Sequence, residues 1–349
     1  MWKDVGIEEP RSELAVIIGR FQPGPHYGHM GLFEAAANIA PNILTLIGSS
    51  FIARNIKNPF TFDEREEMIL AGTKHLNRNI NCEGIGDRYS NQNWVAQVQV
   101  AVQDEIDMLG ISSPRVVIVG HKKDASSYYL DMFPGYRLHE IESRGDISST
   151  HLRKSLFGSR EIVGIDGPVK EYLEKWTNKN PEIFENLCGE YRFLENYKKQ
   201  FLGLKYPPIF VTTDAVVICN GHILLVRRRS HPGKGLWALP GGFLKENETI
   251  QESLFRELDE ETHLDFPNSL LKASLKGTHV FDAPGRSLRG RTITHAGLIL
   301  LENCRYLPKI RADDDAEAAK WFPLSDFYQM SHVMFEDHHM IGMFMVNRT

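Results

Sequence analysis

The hydrophobic pattern divides the chain into two halves of different rhythm. In the first half, short apolar runs alternate with longer stretches of helical period. Leu14 to Ile18 is one such run, closed by Gly19, and predicts a strand buried on both faces. A helix is predicted around Gly28 to Ala40, then a strand from Ile43 to Ile47 ending in Gly-Ser-Ser. Phe62 to Leu76 has helical period and opens on Thr61 with Glu64 three residues on, the spacing of a capping box. Trp94 to Leu109 is amphipathic, and Val116 to Val119 is a third buried strand, running into Gly120. Strands alternating with helices imply a parallel sheet, which binds ligands at the carboxyl ends of its strands. Tyr172 to Lys205 is rich in charge and aromatics, partly helical, and ends at Tyr206-Pro207-Pro208. Beyond it Val211–Cys219 and His222–Arg227 flank Asn220-Gly221, a strong hairpin signal. A glycine-rich loop, a helix from about Thr249 to Thr262 and further strands follow. The expected organisation is an α/β domain with a parallel sheet over residues 1–180, a helical linker over 181–207, and an α+β domain with a mixed sheet over 208–349.

Composition narrows the partners. The 349 residues carry a net charge of −5, with no basic block to suggest nucleic acid and no acidic tail to suggest a disordered arm. The cysteines at 82, 188, 219 and 304 form no CxxC pair, so reduced thiols in a cytoplasmic protein are expected. The first residues, MWKDVGIEEPRSE, lack a basic-then-apolar signal, and no apolar run has the length of a membrane span. A homo-oligomer is left open.

Two segments of the first half suit phosphate. Gly19-Arg20-Phe21-Gln22-Pro23 leads into His26-Tyr27-Gly28-His29 at an expected helix start, where free N–H groups and the positive dipole end favour anions. Two histidines three apart share a helical face and can donate to charge growing on a phosphoryl oxygen. Alone, such a pair is more often two ordinary surface or core histidines. Ile147-Ser148-Ser149-Thr150-His151-Leu152-Arg153 places hydroxyls at a second helix start and a forked donor one turn inside it, which alone is also a plain N-cap.

Together, GRFQP with HYGH and, about 120 residues later, ISSTHLR resemble the nucleotidyltransferase superfamily. Gly120-His121-Lys122-Lys123-Asp124, Asn58-Pro59-Phe60-Thr61, Glu64-Arg65 and the run from Asp87 to Trp94 are similar to its archaeal-type nicotinamide mononucleotide (NMN) adenylyltransferases, over roughly residues 12 to 175. The resemblance implies a Rossmann-like fold and adenylyl transfer from ATP to NMN, giving NAD and pyrophosphate with Mg²⁺. It implies His26, His29 and Arg153 at the ATP phosphates, with Ser148 and Thr150 beside them. Arg20 and Lys57 would add positive charge, and Gly19, Phe21, Gly120, Lys123 and Asp124 would complete the binding loops. Trp94 would stack on the nicotinamide, with Asp87 and Asn91 on polar edges. A pyridinium over an indole gains about 1–2 kcal/mol; a core tryptophan is the competing reading. One departure stands out: two residues, Gly24 and Pro25, separate Pro23 from His26 where the family has one, so an unabsorbed extra residue would displace His26.

The second half carries a carboxylate helix. After Leu239-Pro240-Gly241-Gly242 come five residues, Glu248, seven residues, then Arg256-Glu257-Leu258-Asp259-Glu260-Glu261. Glu257, Glu260 and Glu261 share one helical face and would repel unless a cation sat among them; hard oxygen donors select Mg²⁺ or Mn²⁺. A bare acidic face is usually just solvated, but the whole order resembles the Nudix box. That implies metal ligation by these three acids, with Glu257 and Glu261 catalytic, bracing by Arg256 and Glu248, and water attack on a nucleoside diphosphate derivative. Glycine normally ends the box; here it is His263, and histidine can adopt the left-handed conformation at modest cost. Ala312 to Trp321 reads as an acidic loop with Glu317 a candidate further carboxylate; a solvated turn is the plainer reading. The combination resembles bifunctional NMN adenylyltransferase/Nudix hydrolases, for which ADP-ribose, cleaved to AMP and ribose 5-phosphate, is the expected second substrate. The alternative is an active transferase whose Nudix domain only senses ligand.

Overall fold

The computed structural model describes residues 12–122, 125–142, 148–165, 167–302 and 304–348. Contacts divide the chain into two compact units, one of residues 1–51 and 57–185, the other of residues 52–56 and 186–349.

The first unit is a five-stranded parallel sheet. Its strands are β1 (Leu14–Gly19), β2 (Asn42–Ile47), β3 (Asn79–Gly84), β4 (Val116–Gly120) and β5 (Arg137–Glu140), in the order β3-β2-β1-β4-β5. Between them run α1 (Tyr27–Ile39), α2 (Phe62–Thr73) and α3 (Asn91–Leu109); α4 (Ser149–Lys154) and α5 (Gly167–Lys179) follow. The continuous apolar run of β1 has a direct cause. Leu14, Val16 and Ile18 pack on α3 through Val98, Val102 and Ile106, while Ala15 and Ile17 pack on α1 through Phe33, Ala36 and Ala37. Both faces of the central strand are therefore core, and each buried Leu or Ile contributes about 1.5–3 kcal/mol. The capping box forms with both arms: Thr61 accepts from the Glu64 N–H, and Glu64 from that of Thr61. Strands β3 and β5 were not expected from the sequence.

The helix α6 (Pro181–Lys199) carries the unit boundary, and from Asn186 it belongs with the second unit. There β6 (Ile209–Cys219) and β7 (His222–Arg228) form the expected hairpin, with Asn220 and Gly221 both left-handed at φ 44° and 72°. Short strands β8 (Trp237–Ala238) and β9 (Gly241–Phe243) precede α7 (Ile250–Thr262) and α8 (Asn268–Ala273). Next come β10 (Leu275–Phe281), β11 (Arg291–Leu301), β12 (Ala316–Pro323), α9 (Leu324–Phe327) and α10 (His338–Val346). The mixed sheet runs β10-β11-β6-β7-β12, parallel only between β6 and β11, with β8 on β7 and β9 on β6. Leu254 and Leu258 of α7 pack on one face of it, and Phe327, Ile341 and Met345 on the other. Among the described residues no helix is long and apolar enough to cross a membrane.

Candidate active sites

In the first unit the site residues gather where parallel strands end. Gly19 closes β1, and its backbone turns at Phe21, which sits at φ 49° with its ring buried. Arg65 holds this turn. Its side chain is fully buried and its Nη1 donates to the carbonyls of Arg20 (2.8 Å) and Gly48 (2.7 Å). Nη2 reaches the Ser49 carbonyl and Ser50 hydroxyl, and Nε the Thr61 carbonyl. One guanidinium thus ties the loop after β1 to the loop after β2. Sequence reading placed Arg65 in a motif but gave it no task.

The loop carrying the extra residue before His26 is held at Gln22 and Gly24. Gln22 bonds both ways to the Phe60 backbone, and Gly24 lies against Met68 where a Cβ would sit at 2.5 Å. His26 remains the N-cap of α1, its Nδ1 accepting from the Gly28 N–H at 3.2 Å, so the ring proton sits on Nε2. The His26 and His29 rings stack at 3.8 Å. Burial, then the neighbouring His26, lowers the His29 pKa well below the ordinary histidine value, so His29 is a neutral donor rather than an acid. Its Nδ1 is buried without a hydrogen-bond partner.

Three cations surround this point. Arg153 reaches back from α4 to the Gln22 carbonyl (2.6 Å) and the Thr150 hydroxyl (3.2 Å). Burial and then Arg20 lower its pKa to about 10. Lys57 is lowered by burial, by Arg20 and by Arg153, against a raising influence from Asp87. Arg20 lowers both, and cations crowded in this way mark a place for an anion. Ser148 caps α4 through the His151 N–H. Asp87, exposed after β3, accepts from the Ser49 hydroxyl at 2.9 Å, and Asn91 opens α3. Trp94 is half-buried against the α3 core, edge-on to Tyr129 at 5.9 Å, so part of the indole is core. Gly120 is needed for space, since a Cβ there would lie 2.7 Å from Leu130. Lys123 and Asp124 lie outside the described residues.

The second unit holds a cavity of about 310 Å³ lined by Gly241, Gly242, Arg256, Glu257, Glu260 and Glu261 among others. The glycines are required: a Cβ on Gly241 would meet the Thr213 carbonyl at 2.1 Å, and one on Gly242 the Glu257 carboxylate at 2.5 Å. Arg256 is the brace. It forks onto Glu248 (2.6 and 2.7 Å) and its Nη1 donates to Glu257 and Glu260, both at 2.8 Å. That pairing pulls Glu248 down to about 2. Glu261 is buried, accepts from the Gly241 N–H at 2.9 Å, and is pushed up to about 8 chiefly by burial; burial also raises Glu257. These are carboxylates whose charge is costly until a cation arrives. Among the described residues no three acids, cysteines or histidines already converge as a metal cage, and Arg256 is turned onto two of the three. The donor set is all hard oxygen, so it fits a divalent cation such as Mg²⁺ or Mn²⁺.

Other lining residues come from elsewhere in the chain, among them Asp214, Arg228, Arg286, Arg289, Glu336 and His338. Arg286 is paired with Asp337 at 2.6 and 2.8 Å, while Arg289 lies over the Phe243 ring at 4.7 Å. His338, lowered to about 3 mainly by burial, is neutral and accepts the Leu239 N–H. From the acidic loop, Asp314 and Asp315 line the cavity, whereas the candidate Glu317 sits on β12 and pairs with Arg227 at 3.7 Å.

His263 ends α7 at φ 38°, ψ 50°, the left-handed geometry expected for the box's last residue, and bonds Asp313 at 3.0 Å. A glycine there avoids a strain of about 0.5–1 kcal/mol, and the exposed His–Asp pair returns little. Replacement His263→Gly is expected to raise the melting temperature of the second unit by about 2–3 °C. A fall in calorimetry would show that the Asp313 contact outweighs the strain.

Comparison with known proteins agrees with both geometries. Residues 16–155 match the cytidylyltransferase-like family model and residues 210–340 the NUDIX domain model. A nicotinamide/nicotinic acid mononucleotide adenylyltransferase of Acinetobacter baylyi is 35% identical over 184 residues, 52% of this chain and 94% of the relative. An ADP-ribose pyrophosphatase of Methanocaldococcus jannaschii is 34% identical over 121 residues, 35% of this chain and 66% of the relative. A crystal structure from Francisella tularensis, a bifunctional NMN adenylyltransferase/ADP ribose pyrophosphatase complexed with AMP and Mn ion, superposes with TM-score 0.89 at 34% identity, covering 97% of this chain and 99% of that one. With this match along almost the whole length of both chains, the protein belongs to the bifunctional NMN adenylyltransferase/ADP-ribose pyrophosphatase family.

Proposed function

We propose that this chain transfers the adenylyl group of ATP to NMN, giving NAD and pyrophosphate, and separately hydrolyses ADP-ribose to AMP and ribose 5-phosphate. The observation that carries the first activity is Arg153, held on the Gln22 carbonyl and clustered with Arg20 and Lys57, near two stacked, donor-ready imidazoles. The NMN phosphate is already a nucleophile and needs no general base. The work of the protein is to hold it in line with the α-phosphorus and to receive charge on the departing pyrophosphate. His26 Nε2–H and His29 serve as donors there, and Arg153 is placed by its bond to the Gln22 carbonyl. Asp87, Asn91 and the open face of Trp94 take the NMN base. Trp94→Ala is expected to raise the KM for NMN about ten-fold, the equivalent of about 1–2 kcal/mol, with the KM for ATP unchanged. Equal KM values for NMN in both proteins would return Trp94 to the core.

In the second unit Glu257, Glu260 and Glu261 would hold Mg²⁺, with Mn²⁺ as the alternative. When bound, the cation supplies neutralisation of the diphosphate and a water acidic enough to attack at neutral pH. Arg256 keeps the acids apart and oriented, and Gly241 fixes Glu261 through its N–H. The left-handed helix end is retained at His263, so this substitution gives no ground for preferring ligand sensing alone. Four cysteines without disulfides and substrates of central metabolism fit a cytoplasmic setting.

A further inference from the structure

Glu190 belongs to neither constellation, yet it is 4% exposed and both its oxygens are used. Oε2 accepts the Ile56 N–H at 2.7 Å and Oε1 the Gly233 N–H at 3.0 Å. Both partners are main-chain donors, from segments far away in sequence and inside the same compact unit. A buried carboxylate is expensive, and its one advantage over glutamine here is that it accepts at two atoms rather than one.

One of these ties leads to a site. Gly233 belongs to the loop after β7, where the Pro232 carbonyl accepts from Arg228 Nε at 2.8 Å and the Gly235 N–H donates to the Arg228 carbonyl at 2.8 Å. Gly233 also lies where a Cβ would sit 2.2 Å from the Phe335 ring, and the Arg228 guanidinium stacks over that ring at 4.2 Å. Arg228 and Phe335 are wall of the hydrolase cavity. The other tie holds Ile56, the end of the 52–56 segment that belongs with this unit.

We propose that Glu190 is a positioning residue for the hydrolase, fixing the Arg228–Phe335 wall by tying Gly233 to the Ile56 main chain. This rests on the reading of the hydrolase cavity given above. The wall is held by a backbone hydrogen bond behind it, so loosening that bond weakens substrate binding before it touches the chemistry.

The test uses the full chain, with Glu190→Gln and Glu190→Ala assayed for both reactions at a temperature where circular dichroism shows each folded. Glu190→Ala loses both ties and is expected to raise the KM for ADP-ribose by about 3–10-fold, with kcat within two-fold of wild type. Glu190→Gln keeps one acceptor and is expected to raise the same KM. A control change at the exposed Glu185, the partner of Arg160, should not move it. An unchanged KM for ADP-ribose in both variants, even with a lowered melting temperature, would make Glu190 merely structural and overturn the proposal. If Glu190→Ala does not fold, Glu190→Gln decides, and no KM change there counts against it. Wild-type protein that leaves ADP-ribose intact would instead overturn the functional reading of the cavity.

Discussion

The Glu261→Gln protein is expected to synthesise NAD at the wild-type rate while losing ADP-ribose hydrolysis by about 10²–10³-fold, the usual cost of removing one charge-stabilising group. The same change should stabilise the metal-free second unit at pH 8. Glutamine keeps the bond to the Gly241 N–H, because only one oxygen of Glu261 accepts it. It also mimics the protonated acid that burial favours. The sign follows from linkage. Glu261 is raised from 4.5 to about 8 in the folded chain, so folding binds a proton across that window. That contribution is complete below about pH 4.5 and is lost as pH rises to about 8. At about 1.4 kcal/mol per pH unit the ceiling is about 5 kcal/mol. Calorimetry in chelator at pH 8 should therefore show a higher melting temperature for Glu261→Gln than for wild type, and the gap should close by pH 5. A hydrolase that survives the substitution would remove Glu261 from the site.

Arg65→Met is expected to lower the stability of the first unit by about 3–5 kcal/mol, about 10 °C in melting temperature, and to cut NAD synthesis at least ten-fold even where the protein is folded. The guanidinium serves four carbonyls and a hydroxyl with no room for water to replace it. Each orphaned buried acceptor costs about 1–3 kcal/mol, offset in part because burial already taxes the charge, lowering the Arg65 pKa to about 10. Arg65→Lys should rescue little, since a single ammonium cannot fork between the loops after β1 and β2. Unaltered melting and synthesis in Arg65→Met would mean that the turn at Phe21 holds itself.

What was legible in the sequence was what local chemistry decides. The β1 run is apolar at every position because both faces are covered, the Thr61–Glu64 pair caps α2 through two short bonds, and Asn220-Gly221 takes the positive φ values a tight hairpin needs. The face shared by Glu257, Glu260 and Glu261 follows from helical spacing. What was missed depends on distant partners. In β3 the sequence NINCEG offers few apolar positions, and RLHE in β5 is largely exposed; each is an edge strand held by pairing to a buried neighbour. AEAAKWFP read as part of an acidic loop because alanine and charge favour no strand, yet its pairing with β7 makes it β12. The wall of the hydrolase cavity was invisible for the same reason: Asp214, Arg286 and Glu336 meet only after the sheet has formed. Of the two irregularities visible in the motifs, the substituted glycine is met by a left-handed histidine, and the loop with the extra residue packs Gly24 against Met68.

One preparation of wild-type protein with Mg²⁺, given NMN and ATP in one tube and ADP-ribose in another, shows whether a single chain carries both activities once the products are resolved by chromatography. NAD with pyrophosphate is expected in the first and AMP with ribose 5-phosphate in the second. A tube without its products would show that the chain does not carry both.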